Sequence, residues 1–290
     1  MAADPRISVV VLTHDRPREL RRALRELRRL PEQPPIIVVD NASRPGVVEA
    51  VVCEFDGVEL VRCDENRGAA GRNAGVARVR TPYVGFCDDD TWWAPGALAR
   101  AADLLDTHRD VGAISACVLV GDDERVDPTC EAMAMSPLDS TGLPGPALFS
   151  FMAGAAVMRA SAYREVGGYE PRLFLGAEEW LMGMDLAVRG WRMVYVHDVV
   201  THHHPSSSAR DPTARRIAYA RNRLWIAWMR LPLSSAWQVT MREMRHVAGL
   251  GLLRPALREA LLGLPWALRR RSVVPDRVHE MYRVVYEDRR

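Results

Sequence analysis

Three adjacent carboxylates, Asp88, Asp89 and Asp90, are the sharpest chemical feature of the sequence. Neighbouring carboxylates repel one another, so the triplet costs stability unless a cation or arginine side chains compensate its charge. Oxygen ligands of this kind are typical of hard divalent ions such as Mg²⁺ or Mn²⁺. Such an ion commonly bridges phosphates and neutralises a departing diphosphate. The alternative is a solvated acidic turn before the next helix.

Polar side chains also follow the other apolar runs in the N-terminal part of the chain. Thr13 and Asp15 follow the first run, Asp40 follows the second, and Arg67 lies in an Asn-Arg-Gly segment after the third. Glycines at a helix start let backbone N–H groups approach an anion, and arginine adds positive charge. Ligands bind at the carboxyl ends of the strands in open parallel sheets. One polar strand end would be ordinary turn chemistry, but several of them predict a binding site.

A second group of ionisable residues lies further along the chain. Glu178 and Glu179 are adjacent, and adjacent carboxylates tend to raise one pKa of the pair, which suits a general base. A positioned base of this kind can accept the proton of a hydroxyl group that attacks a substrate. The alternative for the pair is a helix N-terminus, which favours acidic residues. The three histidines at 202–204 form either part of a metal or phosphate site or a solvated turn before Pro205.

The elements that must position these residues alternate between strand and helix. Segments between the apolar β-branched runs have helical spacing, and this alternation predicts an open α/β sheet that is Rossmann-like, mostly parallel and flanked by helices. Residues 121–148 show no clear period and predict a long surface excursion. A helix is expected near 178–189. The predicted strands are 7–12, 36–39, 58–61, 83–87, 112–120 and 193–197.

From about residue 213 the chain becomes helical in pattern, rich in tryptophan and basic. Residues 201–290 hold 17 basic and 7 acidic side chains, whereas residues 1–200 hold 22 and 30. Every Lys or Arg position is arginine. We therefore expect an α-helical extension that either lies on an anionic membrane surface or packs on the catalytic domain or a second subunit. Two helical stripes carry this expectation: Ile217, Ala220, Leu224, Trp228 and Leu231, and then Trp237, Met241, Met244 and Ala248.

Composition excludes several classes of protein. With 48% hydrophobic and 26% charged residues over a length of 290, the chain can bury a substantial core, which excludes a disordered tail protein and a small disulfide scaffold. The five cysteines are odd in number and include no close pair, as in the reduced thiols of a cytosolic protein. The polar N-terminus shows no signal peptide, and no uncharged run suits a membrane span. We expect a cytoplasmic protein that does not bind nucleic acid, because arginine interleaved with tryptophan and leucine at helical spacing suits packing.

Taken together, the motifs resemble the family 2 glycosyltransferases of the GT-A fold. The resemblance runs from about residue 7 to 205 in the family's order and does not include the basic extension. It implies a GT-A catalytic domain over 1–212 and a helical C-terminal extension over 213–290. Within the catalytic domain, about 1–120 would bind the nucleotide sugar and about 121–212 the acceptor. The segments that carry the resemblance are 8–13, 39–43, 66–75, 86–90, 154–158, 166–169, 178–179 and 190–191.

The resemblance also implies roles for particular residues. The divalent cation, Mg²⁺ or Mn²⁺, would be held by Asp88 and Asp90 of a DxD motif, with His203 completing its ligands. Glu179, beside Glu178, would be the base that accepts the proton of the acceptor hydroxyl. The family usually has aspartate where Glu179 stands, and one extra methylene changes the reach of the carboxylate. The nucleotide-sugar contacts would be Thr13, Asp15, Asp40, Arg67, Asp88, Asp89 and Gly154.

The sequence thus predicts an inverting, metal-dependent transferase of the hexosyltransferase type. It would move a sugar from a nucleotide-sugar donor, UDP- or dTDP-linked, to a hydroxyl of a glycan, a lipid-linked intermediate or a small metabolite. A sugar-nucleotide nucleotidyltransferase is one alternative, but the chain lacks a glycine-rich loop with arginine and lysine after its first strand. A non-catalytic nucleotide-sugar-binding protein is another, but the acids it would lack are present. Peripheral contact with the inner face of the membrane and homo-oligomers through the C-terminal helices both stay open.

Overall fold

A computed structural model of the protein describes residues 6–206 and 212–287. Short 3₁₀ turns lie at Gly68–Gly71, Ala153–Ala155 and Pro171–Leu173. The strands are β1 (Ile7–Thr13), β2 (Ile36–Asp40), β3 (Val58–Arg62), β4 (Tyr83–Asp88), β5 (Thr91–Trp93), β6 (Val111–Val120), β7 (Arg125–Val126), β8 (Ala147–Leu148), β9 (Ala156–Arg159) and β10 (Arg192–His203). The helices are α1 (Pro17–Arg28), α2 (Val47–Val52), α3 (Arg72–Val76), α4 (Ala97–Thr107), α5 (Pro128–Ala134), α6 (Ala160–Glu165), α7 (Glu178–Val188), α8 (Pro212–Arg230), α9 (Leu233–Gly249), α10 (Leu253–Arg269) and α11 (Asp276–Tyr286).

The strands of the described residues form one sheet in the order β3-β2-β1-β4-β9-β6-β10-β5, with β7 beside β6 and β8 beside β10. Strands β3, β2, β1 and β4 run parallel, and so do β6 and β10. The predicted α/β class is therefore confirmed. The sheet is mixed rather than mostly parallel, because β9 runs antiparallel between β4 and β6, and β5 runs antiparallel to β10.

The apolar runs fold as strands because helices cover both faces of the sheet. All residues of β2 are buried, and so are six of the seven residues of β1. Such strands have no solvent-facing side, which explains their continuous β-branched composition. Helix α1 begins with Pro17, whose fixed φ suits a first helical turn, and it buries one leucine-rich side. The core is therefore a sheet packed between helical layers.

Strand register brings the polar strand ends together. Thr13 at the end of β1 is paired with Asp40 at the end of β2, and Leu12 is paired with Asp88 at the end of β4. At the opposite end of the strand order, His203 is the last residue of β10 and is paired with Thr91 of β5. The first of the three carboxylates therefore ends a strand, and the other two lie in the turn between β4 and β5.

Two segments differ from the sequence prediction. The predicted surface excursion at 121–148 contains helix α5, whose first turn is capped by Asp127 and which buries Cys130. The helix is short, so its apolar period is too brief to recognise in the sequence. Strand β10 is longer than the predicted 193–197, and a bulge between Val196 and Val200 hides its alternation. Because of this extension, His202 and His203 lie in a strand and not in a turn.

The C-terminal extension is helical, as predicted, and it packs on the rest of the chain. A second apolar core joins Trp180 and Met184 of α7 to Trp225 and Met229 of α8 and to Tyr282 of α11. Among the described residues, none of the helices combines the length and the apolar composition that a membrane span needs.

The two predicted stripes of the extension have different surroundings. Ile217 and Ala220 of the first stripe are buried. The second stripe lies on α9 and is only partly covered: Trp237 is 58% exposed, whereas Met244 packs against the buried cluster of Ile217 and Ala220. The buried side of α9 runs instead through Ala236 and Val239.

Candidate active site

Two arginines compensate the charge of the Asp triplet. Arg72, which begins α3, is buried and donates a hydrogen bond to Oδ1 of Asp88. Burial opposes the charge on Arg72 most strongly, but Asp88, Tyr169 and the two acids Glu178 and Glu179 together outweigh it, so the pKa of Arg72 stays above its ordinary value. Arg16 donates to Asp89 and, over 2.9 Å, to Oδ2 of Asp90. The triplet is thus a charged, arginine-bound cluster at the strand ends and not a solvated turn.

Asp89 is the member of the triplet that lies deepest. Thr13 donates its hydroxyl to Oδ2 of Asp89 over 2.9 Å, and Arg16 contacts the other oxygen. Burial raises the pKa of Asp89 to about 7 against the opposing charge of Arg16. Thr13 and Asp89, both predicted to contact the donor, therefore bind each other. Their contact ties the end of β1 to the turn after β4.

Asp90 and His203 form the pair that best suits a cation. His203 Nε2 lies 3.6 Å from Oδ1 of Asp90. This separation is too long for a hydrogen bond, and it exceeds the roughly 3.0 Å between adjacent ligands of an octahedral Mg²⁺, so the two side chains would have to move slightly closer to hold one ion. In the described part of the chain, no three His, Cys, Asp or Glu side chains gather closely enough to hold a metal ion. The residues still fit, because Mg²⁺ is usually bound by one or two carboxylates together with waters and substrate phosphates.

Asp40 and Asp15 organise the loops beside the triplet. Asp40 is fully buried, and its two oxygens accept from the Ser43 backbone N–H over 2.8 Å and from Arg62 over 2.9 Å. Asp15 accepts from the Arg44 backbone N–H over 2.9 Å. Its own N–H donates to the Ser43 hydroxyl over 2.8 Å. Both acids are predicted to contact the nucleotide. In the structure they hold the loops after β1 and β2 in position.

Arg67 lies in a loop that a single asparagine holds. The side-chain oxygen of Asn41 accepts from the Arg67 backbone N–H over 2.9 Å, and its amide donates to the Gly68 carbonyl over 3.0 Å. The Arg67 side chain is 42% exposed, so it is accessible to a ligand. Gly68 has a φ of +56°, and a Cβ there would collide with the backbone of Phe174. This glycine therefore permits the loop to lie directly against the segment before α7.

Gly154 is explained by its neighbour Asp88. A Cβ at residue 154 would lie 2.7 Å from Oδ2 of Asp88, closer than real Cβ contacts allow. The Gly154 carbonyl also accepts from the Thr91 hydroxyl over 3.3 Å. The predicted involvement of Gly154 in the site thus has a steric basis, since the small residue leaves room for the first carboxylate.

The acid pair begins helix α7. Glu178 is buried, and its Oε2 has no hydrogen-bond partner in the structure. Burial, and next the charge of Glu178, raise the pKa of Glu179 to about 8. The positive charge of Arg72 acts on both acids and opposes this rise. Glu179 lines a cavity of about 110 Å³ together with Ser150, Ala177, Trp180, Tyr219, Arg223 and Tyr286.

Asn222 of α8 holds the segment that leads into the acid pair. Asn222 is fully buried, and its amide nitrogen is within 3.1 Å of three carbonyl oxygens, those of Leu173, Leu175 and Gly176. Phe174 and Ala177 have φ values of +61° and +64°, a conformation that side chains other than glycine rarely adopt. We define residues 173–177 as the acid-pair loop. Its unusual backbone is maintained by a residue of the C-terminal extension.

Sequence reasoning missed three residues of this arrangement as site residues: Arg16, Arg72 and Asn222. Arg72 lies within the segment 66–75 that carries the resemblance. The sequence therefore indicated its position, but not its partner Asp88. Asn222 stands between two arginines and off the predicted apolar stripe of this helix, so the sequence carried no signal of its burial. Asp185, a further acid on α7, is paired with Arg230 over 2.7 Å.

A mixed α/β sheet that gathers an Asp triplet and an Asn-Arg-Gly loop at its strand ends, with an acid pair linked to them, defines a glycosyltransferase of the GT-A fold. The family model for glycosyl transferase family 2 matches residues 8–167. The chain belongs to this family. It is a glycosyltransferase, and its site is of a kind that fits a nucleotide-sugar donor.

Known proteins that resemble the chain over most of its length are also glycosyltransferases. The N-acetylglucosaminyl-diphospho-decaprenol L-rhamnosyltransferase of Mycobacterium tuberculosis (strain ATCC 25618 / H37Rv) is 25% identical over 300 residues, which cover 88% of this chain and 96% of that protein. The structure of S. aureus TarS 1-349 has a TM-score of 0.62 at 17% identity and covers 95% of this chain and 83% of that one. Mannosyltransferase PcManGT from Pyrobaculum calidifontis, in complex with GDP-Man and Mn²⁺, has a TM-score of 0.58 at 20% identity, with coverages of 97% and 85%. At these identities the structural likeness shows the fold.

Proposed function

We propose that the protein transfers a sugar, with inversion, from a UDP- or dTDP-linked donor to a hydroxyl of a lipid-linked sugar. The observation that carries the proposal is the position of Arg72. This buried arginine binds Asp88 directly, and its charge acts on both Glu178 and Glu179. Asp88, assigned to the donor, and the acid pair, assigned to the acceptor, would therefore act close to one shared charge, as a direct transfer requires.

The donor half of the reaction falls to the strand-end residues. Arg67, accessible on its loop, would bind the diphosphate. Asp40 and Asp15 would keep the loops after β1 and β2 rigid around the nucleotide. Asp88, Asp90 and His203 would hold a divalent cation, Mg²⁺ or Mn²⁺. When bound, this ion supplies positive charge that stabilises the departing nucleoside diphosphate. The Mn²⁺ bound by the mannosyltransferase with the same fold supports this assignment.

The acceptor half falls to the acid pair. The hydroxyl oxygen forms a bond to the anomeric carbon, and the bond from that carbon to the phosphate oxygen breaks. The nucleoside diphosphate keeps the bonding electrons, and Glu179 takes the hydroxyl proton. Glu179 is assigned as the base because it lines the cavity beside the acid-pair loop. Its raised pKa, about 8, makes its ionised form a stronger proton acceptor than an ordinary carboxylate.

A lipid-linked acceptor is proposed because of the rhamnosyltransferase. That protein is named for a sugar carried on diphospho-decaprenol, and the similarity extends over 88% of this chain, so it includes parts of the C-terminal extension. A glycan or a small metabolite as acceptor would instead give a product that stays in the aqueous phase.

The test is a transfer assay whose product is analysed by NMR. The purified protein is incubated with UDP- and dTDP-sugars, Mn²⁺ and a polyprenyl-diphosphate sugar. We expect an extracted lipid product whose new glycosidic bond has the anomeric configuration opposite to that of the donor. Retention would contradict the single-displacement mechanism. Release of pyrophosphate from a nucleoside triphosphate and a sugar phosphate would instead indicate a nucleotidyltransferase, and donor binding without any transfer would indicate a binding protein.

A further inference from the structure

We propose that the outer face of helix α10 docks the protein onto the surface of an anionic lipid bilayer. Five leucines recur along this helix every three or four residues, which places them in one stripe. We call this stripe the leucine row. Leu261 in its centre is 55% exposed, and only one of the five, Leu264, is less than 39% exposed. The row consists of Leu253, Leu257, Leu261, Leu264 and Leu268.

The inner side of α10 is made of small residues, so the large ones are left outside. Ala256, Ala260 and Ala267 are buried. The indole N–H of Trp225 donates to the Ala260 carbonyl over 2.8 Å, which fixes this side of the helix against α8. A helix that serves only the core buries its leucines and exposes polar residues. The reverse arrangement marks the leucine row as an interaction surface.

Charge on this surface decides which partner it suits. Arg254, Arg258 and Arg269 are exposed on α10 beside the leucine row. The one acidic residue of α10, Glu259, is paired with Arg221 of α8 over 2.9 Å. The outer face is therefore both apolar and positively charged, which is the composition of helices that lie in the membrane interface. A second copy of the chain would bring arginine against arginine, whereas anionic headgroups complement the charge.

One contact joins helix α10 to the turn that precedes the acid-pair loop. The Arg172 guanidinium lies 5.2 Å from the centre of the Trp266 ring of α10. Arg172 belongs to the turn directly before the acid-pair loop, where Phe174 and Leu175 are exposed. Trp266 lies on the side of α10 opposite the leucine row, so this contact fixes the helix to the turn and leaves the row free to dock. The docking surface itself does not depend on the proposed donor or acceptor.

Co-sedimentation with vesicles tests the proposal on the full-length protein. Vesicles of phosphatidylcholine alone are compared with vesicles that also contain phosphatidylglycerol, at low ionic strength and at about 1 M salt, where the Debye length falls to roughly 3 Å. We expect binding to the anionic vesicles at low salt, weaker binding at high salt, and little binding to neutral vesicles. Protein that stays in solution with anionic vesicles at low salt would overturn the proposal.

Two double variants separate the apolar and the charged contributions. Leu257→Asp/Leu261→Asp should abolish vesicle binding, and Arg254→Glu/Arg258→Glu should lower the partition coefficient at least about thirtyfold, since each arginine near such a surface contributes about fivefold. Both should keep the circular dichroism and thermal unfolding of the wild type, because the changed side chains are exposed.

Matched changes on the sheet side of the protein serve as controls. Met135→Asp introduces one aspartate at another exposed apolar site, and Arg28→Glu/Arg109→Glu reverses two exposed arginines. These controls should bind vesicles like the wild type. If they lose binding equally, the attraction is a general charge effect and the docking surface is wrong. If light scattering shows a dimer that Leu257→Asp/Leu261→Asp dissociates, the leucine row is a protein interface and the proposal fails.

Discussion

The acid pair shows how burial tunes a carboxylate for proton transfer. Glu179 begins a helix, where the backbone favours its charge, and it faces the charge of Arg72. Burial and the neighbouring Glu178 outweigh both effects and raise the pKa of Glu179 to about 8. A folded-state pKa above the ordinary value of a carboxyl group means that the folded protein favours the protonated form. The ionised form, which a base requires, therefore accumulates only as pH rises through about 8.

This argument predicts the effect of Glu179→Gln. The substitution keeps the shape of the side chain and removes its basicity, so turnover should fall by roughly 10²–10⁴-fold, the usual contribution of a positioned base. The donor dissociation constant should barely change, because the base acts on the acceptor. In the wild type, kcat should rise about tenfold per pH unit below pH 8 and level off above it. The variant should lack this rise.

Glu178→Gln is the matched control for the base. It should cost less turnover, because Glu178 acts through its charge on Glu179. A larger loss in Glu178→Gln would show that the buried Oε2 of Glu178 belongs to the base. Glu179→Gln should also unfold at a temperature no lower than the wild type near pH 8. This follows because a carboxyl group with a raised pKa destabilises the folded state as pH rises above its ordinary pKa, and glutamine removes that effect.

At the scale of elements, helix α8 positions the acid-pair loop through one side chain. The Asn222 amide lies within 2.6 Å of the Gly176 carbonyl and 2.7 Å of the Leu173 carbonyl, while the loop adopts left-handed backbone conformations. A loop of this kind keeps such a backbone only when its surroundings over-determine it. The C-terminal extension therefore helps to position the acid pair through Asn222. No catalytic role is assigned to the extension.

Asn222→Leu should test this coupling. Loss of the amide removes the hydrogen bonds to the partly buried Leu175 and Gly176 carbonyls and leaves the Leu173 carbonyl with the Arg221 contact alone, so at about 1–2 kcal/mol for each lost bond the free energy of unfolding should fall by roughly 2–4 kcal/mol. In addition, the acceptor KM should rise while the donor dissociation constant stays near the wild-type value. Thr240→Val is the control, since it removes the 3.0 Å hydrogen bond from Trp228 within the same extension. It should cost about 1 kcal/mol. An equal change in acceptor KM in both variants would contradict a specific role for Asn222.

How far these elements could be predicted depends on the range of the interactions that form them. The strands at 7–12, 36–39, 58–61 and 83–87 were predicted within one or two residues, because burial on both faces leaves a continuous apolar run. Helix α3 begins at Arg72, because the preceding residues, Gly68–Gly71, form a 3₁₀ turn that the spacing of apolar residues does not predict.

Long-range contacts explain what the sequence did not reveal about the site. The predicted strand-end residues Thr13, Asp40 and Asp88 do meet at one edge, because strand register alone brings them there. The contacts of Arg16 with the triplet and of Asn222 with the acid-pair loop join distant parts of the chain. No local pattern encodes such pairs. The assigned roles in donor, metal and acceptor binding stay predictions that the variants test.

At the scale of the whole molecule, the C-terminal extension and the sheet domain share an apolar core. Trp180 and Met184 of α7 pack with Trp225 and Met229 of α8. The proposed boundary at residue 212 therefore coincides with a change of composition, and it crosses a region of close packing. A domain that folds alone normally has few contacts across its boundary.

A chain of residues 1–212 should consequently fail to fold as a stable unit. Removal of α8–α11 would expose the apolar side of α7 and leave the acid-pair loop without Asn222. We expect aggregation on expression, or a soluble protein without a cooperative thermal transition. Calorimetry of the truncated chain beside the full-length protein is the measurement. A cooperative transition within a few degrees of the full-length value would show that the sheet domain is independent of the extension.

The central claim is that the strand-end cluster binds a nucleoside diphosphate together with a divalent cation. Thermal unfolding with UDP, dTDP and GDP, in Mn²⁺ or in EDTA, tests it most directly on the wild type, Asp90→Asn and Glu179→Gln. A diphosphate at about 100 times its dissociation constant adds about 2.7 kcal/mol to stability, a rise of roughly 5 °C. We predict such a rise in Mn²⁺ for at least one nucleotide, its loss in Asp90→Asn, and its retention in Glu179→Gln. No rise with any nucleoside diphosphate, or an equal rise in EDTA and in Asp90→Asn, would contradict the account.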